Sequence, residues 1–427
     1  MDLGACNLAP PQALINLDRN DQYVAMDTDF MPAREACRIL GISQATLYAY
    51  VSRGLVESRP GADHRSRAYL RRDIERLLQR KRAGRGAARG AAQSLDRGLP
   101  VLETRISLIR PDGPYYRGHS AIDAAHAGAT LEDAARLLWD CGDDDPFATP
   151  FDARWPRGVE AIALDAALPP LERSMAALPL LALDVPRSFN AAPPVRHAIA
   201  ATLLRHNAAL LVAREPARDP LHRVLASRWR PGKRGFAELV RLALVVAADH
   251  ELNVSAFAAR VVASTGAHLH ATACAGLAAL SGPRHGGATA RAYALIEDAG
   301  GAAPRDWIGA RWERGDELPG FGHALYPHGD PRAAAILAQL EHSAPGAPAM
   351  KRVQQLADAA EDIAGQRPNL DFALAALAHA HGLPAMPALV LFAASRLTGW
   401  LAHALEQQAL GGLIRPRARY VGVAAQA

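Results

Sequence analysis

At 427 residues, half of them hydrophobic, the chain is longer than one usual domain and too apolar for a disordered polymer, so one large core with an appended module is expected. Its four cysteines, Cys6, Cys37, Cys141 and Cys274, are too few and too scattered for a disulfide framework or a paired metal site, which points to a reducing compartment and a cytoplasmic protein. The net charge of +5 is unevenly spread: residues 34–90 carry 14 Lys/Arg against 5 Asp/Glu, leaving 34 against 38 elsewhere, so a polyanion partner is expected for that segment alone.

Residues 1–29 show no sustained period and are read as an N-terminal extension. No basic-plus-apolar leader is seen, and the apolar runs 242–248 and 387–394 fall well short of the roughly 20 residues that a bilayer crossing takes, so no membrane segment is expected. From residue 33 the spacing of Ala33, Ala36, Cys37 and Leu40 marks a helical face that Gly41 ends. Ser43 caps a second helix over 44–53, which buries Leu47 and Val51 and turns Gln44, Thr46, Tyr48 and Arg53 elsewhere. A turn at Pro60-Gly61 between short extended pieces, with Arg65 and Arg67 beside it, suits a wing that touches phosphates, and a third helix follows over 71–82. The order helix, turn, helix, wing resembles the winged helix-turn-helix headpieces of the MerR-like and excisionase-like group, in which the second helix enters the major groove. Gln44, Thr46, Tyr48, Arg53, Arg65 and Arg67 are the candidate DNA-binding residues of this 30–82 domain; a protein-docking or purely structural headpiece is the alternative. Residues 83–96, rich in Gly, Ala and Arg, read as a linker.

Residues 103–118 alternate, turn at Pro111-Asp112-Gly113 and alternate again, as a small hairpin does. Beyond it the pattern is Ala- and Leu-rich with helical spacing, and helices are expected over 130–140, 194–214, 236–250, 256–267, 331–340, 350–364, 372–381 and 387–408. The fold class is therefore mainly α.

Two glycine-set histidines stand out in this helical body, His285 in Gly-Pro-Arg-His-Gly-Gly and His323 in Gly-Phe-Gly-His, followed by Asp330-Pro331-Arg332. Glycine strips away neighbouring side chains and lets a ligand approach closely, although such loops also occur as plain turns. Asp371 sits among apolar residues, where its charged form is disfavoured and its proton affinity rises, as suits a general base. Several arginines suit a substrate with more than one carboxylate, since the guanidinium fork pairs with a carboxylate through two hydrogen bonds. The set fits removal of a proton beside a carbonyl and addition of the resulting enol to an anionic keto acid. No H-E-x-x-H spacing is present, and no metal site is expected.

The ordered series Asp-His-Glu-Leu-Asn from 249, Gly-Pro-Arg-His-Gly-Gly-Ala from 282, Gly-Phe-Gly-His-Ala from 320, Asp-Pro-Arg from 330, Pro-Asn-Leu-Asp-Phe from 368, Ser-Arg-x-x-Gly-Trp from 395 and Arg-Pro-x-x-x-Tyr from 415 resembles the citrate synthase family. The resemblance covers about 95–427, in a bacterial subgroup with a helix-turn-helix headpiece. It implies citrate synthase-like all-helical large and small domains over 97–427, with a small subdomain at about 288–366 that closes over the substrates. It also implies a homodimer, condensation of acetyl-CoA with oxaloacetate at the entry to the tricarboxylic acid cycle, and no cofactor, acetyl-CoA being a substrate. By the same resemblance Asp371 is the base, His285 stabilises the enol and His323 polarises the keto carbonyl. His250, Arg332 and Arg396 bind oxaloacetate, and Arg415 is supplied to the neighbouring subunit.

Two departures bear on substrate choice. Pro327 and His328 stand where relatives commonly carry Lys or Arg for CoA phosphates, and Phe372-Ala373-Leu374 replaces the common Tyr-Ser-Gly after the base. One methylene is worth only about 1–3 kcal/mol in a pocket, so 2-methylcitrate synthesis from propionyl-CoA is the alternative within the same chemistry. A DNA-binding regulator that uses the body as a metabolite sensor is the alternative of another class.

Overall fold

The computed structural model describes residues 30–52, 55–61, 66–71, 73–75, 102–185, 192–343, 348–418, 420 and 422–423. Contacts divide the chain into two compact units, residues 1–102 with 417–427, and residues 103–416.

In the first unit, strand Phe30–Pro32 precedes the helices Ala33–Leu40 and Gln44–Ser52, and strands Ser58–Pro60 and Arg67–Leu70 follow. Arg67–Leu70 is the middle strand of an antiparallel sheet, with Tyr69 opposite both Met31 and Ser58. Gly41 ends the first helix in the left-handed conformation, at φ 57°, and returns its N–H to Arg38. Met31, Ala36, Leu40, Leu47, Val56, Tyr69 and Ile74 form the small core. The opening strand is absent from the sequence reading, since three residues are too few to show a period of two. The extension 1–29, the linker 83–96 and most of the expected third helix lie outside the described residues.

The second unit is helical apart from a hairpin, Ser107–Arg110 against Gly113–Tyr116, with the short strand His119–Ser120 added. Its axis is the 25-residue helix Met386–Leu410. That helix is long and apolar enough to cross a bilayer, yet 94% of its apolar window is buried inside the protein, as a helix hydrophobic on all sides must be in a large core. Small residues let its neighbours approach: a side chain on Gly276 would strike the Trp400 ring, and one on Gly399 would strike Asp249 Oδ1. Buried Arg260 ties the start of the hairpin to this axis, through Glu406 at 2.7 Å, Gln407 at 2.8 Å and the Glu103 carbonyl at 3.1 Å.

The eight expected helices are present with ends displaced by a few residues. One displacement matters for the site. The helix expected over 236–250 is Arg234–Val246, because the chain turns at Asp249, whose carboxylate accepts the Glu251 N–H at 3.1 Å, and Glu251 takes a left-handed φ of 56°. His250 is thereby presented from a turn.

Candidate active site

Six segments of the second unit meet at one cluster. The 249–253 turn supplies His250, the 282–287 turn His285, the 320–330 loop His323, and the helices Leu370–Ala380, Met386–Leu410 and Pro331–Ser343 supply Asp371, Arg396 and Arg332. Asn369 caps the first of these helices, its Oδ1 accepting from Asp371 N at 3.0 Å and Phe372 N at 3.4 Å. The His323 loop is stitched to that cap by Gly322 N to the Arg367 carbonyl at 2.8 Å, Asn369 N to the Gly320 carbonyl at 2.9 Å and Asn369 Nδ2 to the Gly322 carbonyl at 2.9 Å. Gly320 and Gly322 lie at φ 89° and 73°, and a side chain on Gly320 would also strike Phe372 Cβ at 2.9 Å, so only glycine fits. Gly286 is different: its φ is ordinary, and its lack of a side chain serves close packing on the Leu280 carbonyl.

His250 is buried, with Nε2 3.0 Å from the Tyr326 hydroxyl and its ring edge-on to His323 at 5.2 Å. His323 Nδ1 accepts the Leu325 N–H at 3.1 Å, so in the neutral ring the proton resides on Nε2. His285 Nε2 is 2.7 Å from Ser255 Oγ, which also accepts from Trp400 Nε1 at 3.0 Å. Burial pulls both His285 and His323 down to about 4, with the positive arginines adding to it, so both rings are neutral at physiological pH.

Among the described residues the enclosed Asp371 Oδ1 has no hydrogen-bond partner, and burial pushes the carboxyl up to about 6 against the opposing pull of Arg332 and Arg396. Arg332 is 2% exposed. Its fork is held by Asp330, Nε to Oδ1 at 2.9 Å and Nη2 to Oδ2 at 2.7 Å, and Asp330 is fixed in turn by the Leu370 N–H at 3.1 Å. Among the described residues Arg396 has no such carboxylate: Nε and Nη1 are buried without partners, and burial first, then Arg332, brings it down to about 10. One unpaired and one paired guanidinium beside two neutral imidazoles make a pocket suited to a small dianion, and the enclosed carboxylate adds a base.

Of the residues read from the sequence, His250, His285, His323, Arg332, Asp371 and Arg396 come together. Arg415 does not join them: it is exposed in the extended stretch after Leu410, and no hydrogen bond or ion pair among the described residues links it to the cluster. Phe372, Ala373 and Leu374 are wholly buried, with Phe372 against Phe321 at 4.6 Å. Missed were Ser255, Tyr326, Asp330 and Trp400. Asn253 ahead of an apolar helix was the available signal for Ser255, since it marks an N-cap and places Ser255 in the first turn.

In the headpiece, Gln44 Nε2 donates to the Tyr48 hydroxyl at 2.7 Å on an exposed face, Thr46 pairs with Ser43 at 2.9 Å and Arg67 is exposed. Arg53 and Arg65 lie outside the described residues.

Comparison with known proteins adds two family matches: "Citrate synthase, C-terminal domain" over residues 94–417 and "Helix-turn-helix domain" over 31–82. A citrate synthase of Haloferax volcanii is 38% identical over 193 residues, 44% of this chain and 51% of that protein. A 2-methylcitrate synthase of Shewanella oneidensis is 37% identical over 191 residues, 44% and 51% respectively. The chain thus spans about half the length of these relatives. A provisionally named citrate synthase 2 of Mycobacterium bovis is 32% identical over 344 residues, 76% of this chain and 91% of that one. Among solved structures, citrate synthase from Pyrobaculum aerophilum superposes with a TM-score of 0.64 at 26% identity, covering 77% of this chain and 92% of its own. The Thermoplasma acidophilum enzyme, solved with carboxymethyl coenzyme A and oxaloacetate, gives 0.63 at 24% identity, covering 77% and 96%, a likeness of fold. With the family matched over three quarters of its length and a mainly helical body of the same fold, the chain belongs to the citrate synthase family.

Proposed function

We propose that the chain is an acyltransferase of the citrate synthase type, condensing acetyl-CoA with oxaloacetate and water to citrate and CoA. The observation that carries this reading is the enclosed, unpartnered Asp371 carboxylate beside two neutral histidines and two buried guanidiniums. In this reading Asp371 takes a methyl proton from the thioester, and His285 donates from Nδ1 to the oxygen on which charge develops. The enol carbon attacks the keto carbonyl, to which His323 donates from Nε2. Arg332, Arg396 and His250 hold the carboxylates, and Arg415 serves the site of a second copy in a homodimer. Closure of about 288–366 keeps water out until the citryl thioester has formed.

Free thiol release from acetyl-CoA or propionyl-CoA with oxaloacetate tests the reading. Release is expected with both and at a higher kcat/KM with acetyl-CoA. The reverse order makes the chain a 2-methylcitrate synthase, the reading that the Shewanella relative favours, and no release with either removes the proposal.

The Asp371 carboxyl near 6 sets the pH profile. Protonation below that value removes the base, so turnover is expected to rise about tenfold per pH unit below 6 and to level off above about 7. His285 and His323 titrate near 4 and impose no fall between pH 5 and 8. A flat profile over that range contradicts the assignment.

Ser255→Ala tests how His285 is oriented. A Ser255 hydroxyl that turns its one proton from Asn253 Oδ1, 2.8 Å away, to His285 Nε2 leaves the imidazole proton on Nδ1, where the thioester needs it. Its loss is expected to lower kcat roughly 10- to 100-fold, at the low end of general-acid worth, with oxaloacetate affinity unchanged. It also strands the Trp400 N–H, at a cost of about 1–3 kcal/mol in unfolding stability.

The exposed Gln44–Tyr48 face and the helix-turn-helix match support a second role, DNA binding through residues 30–82. Affinity for duplex DNA is then expected to drop by at least about tenfold between 50 and 200 mM salt. Salt-independent retention in a gel-shift titration points instead to protein docking.

A further inference from the structure

A second cavity, of about 620 Å³, lies at the far ends of the helices that carry the candidate site. The 230–236 turn, Ser343 and His381 line it. Arg230, Lys233 and Arg234 face it, and no carboxylate is among the described lining residues. Lys233 and Arg234 are exposed; Arg230 is half-buried and donates from Nη2 to the His381 carbonyl. Phe236 meets the His381 ring edge-on at 4.7 Å and gives the cavity an aromatic wall, in which His381 Nε2 has no hydrogen-bond partner. The Arg234–Val246 helix opens at this point without a side-chain cap on its first N–H groups.

We propose that this cavity binds a small metabolite carrying two or more phosphates, and that its occupancy is felt at the oxaloacetate site. Lysine supplies a compact point charge and arginine a fork that matches phosphate oxygens. An uncapped helix start adds N–H donors and the positive end of the dipole to that cationic cluster. The volume falls within the range of small-molecule sites. Coupling follows from the helices. Arg234–Val246 runs from the cavity to the His250 turn. Pro331–Ser343 has Arg332 at one end and Ser343 at the other, and Leu370–Ala380 begins at Asp371 and ends beside His381. Pro331–Ser343 packs against both of the others. At 1.5 Å per residue these helices span about 16–20 Å, so a ligand that draws the 230–236 turn toward Ser343 and His381 shifts the three site-bearing ends together. The coupling rests on the active-site reading above; the binding does not.

Calorimetric titration of the full chain with tripolyphosphate and with ATP tests both parts. The double variant Lys233→Glu, Arg234→Glu is expected to weaken tripolyphosphate binding at least about tenfold. Acids at a helix start favour the helix, so an unchanged melting curve is expected to accompany the loss. Tighter binding of ATP than of tripolyphosphate, sensitive to the same variant, assigns the aromatic wall to a base; equal affinity assigns the site to phosphates alone. Saturating oxaloacetate is expected to change the tripolyphosphate Kd at least about threefold, as reciprocal linkage requires of coupled sites. Absent binding, or affinity unchanged in the double variant, overturns the site, the latter by assigning the anion to the basic 34–90 segment or to the acyl-CoA site. A Kd indifferent to oxaloacetate overturns the coupling.

Discussion

Asp371→Ala is expected to lower turnover by about 10²-fold or more, the worth of a positioned general base, while oxaloacetate binding is nearly kept. Binding survives because Arg332 is neutralised and oriented by Asp330, not by Asp371. Asp371→Asn separates this loss from misfolding. The native carboxyl keeps its proton up to about 6, whereas in the unfolded chain it gives the proton up near 4, so the charged form weighs on the fold as pH rises through that window. At pH 7 the amide is therefore expected to raise unfolding stability by roughly 2–3 kcal/mol, at about 1.4 kcal/mol per pH unit, while activity is lost. At pH 4, where both side chains are neutral, the gain is expected to vanish. Steady-state kinetics, oxaloacetate titration and thermal melts at the two pH values check the three parts. Near-normal turnover in either variant removes Asp371 as the base.

The same residues show how far the sequence reaches. Asp371 was legible because it stands between Leu370 and Phe372, and hydrophobic neighbours in sequence became hydrophobic neighbours in space. Arg332 was legible as an arginine near the site but not as one whose fork is already occupied, although its partner is only two residues away in Asp-Pro-Arg; spacing does not reveal which carboxylate turns inward. Ser255 is 30 residues from His285 and Trp400 a further 115, so their shared hydrogen bonds exist only once the helices pack. The body's helices were readable where one face is apolar and a cap is clear. Leu269–Leu280 and Gly287–Asp298 were missed, the first because it is Ala-rich all round and the second because its opening glycines look like loop. Gly276, which admits Trp400, would cost helix propensity in isolation, and only tertiary packing explains its place there.

Arg396→Leu is expected to weaken oxaloacetate binding at least about 30-fold and to make the unliganded protein harder to melt. Its guanidinium is 3% exposed, has two buried donors without acceptors and shares its surroundings with Arg332, whose like charge helps to bring it down to about 10. Each unsatisfied buried donor costs about 1–3 kcal/mol, a penalty the fold carries until a carboxylate arrives. Leucine, although shorter, removes those donors and keeps apolar contact on the side of Phe392, over whose ring the guanidinium now lies at 5.0 Å. Truncating one member of a buried, hydrogen-bonded charge pair typically costs 2–5 kcal/mol of binding, so the oxaloacetate Kd is expected to rise between about 30- and several-thousand-fold. Ligand linkage gives the cleanest measurement. In the parent chain, oxaloacetate at about 100 times its Kd should add about 2.7 kcal/mol to unfolding stability; in the variant the melting curve should start higher and gain at most about 0.9 kcal/mol from the same ligand concentration. A variant that melts lower and still responds to oxaloacetate would show that Arg396 is held for structure, and that the dianion is gripped elsewhere.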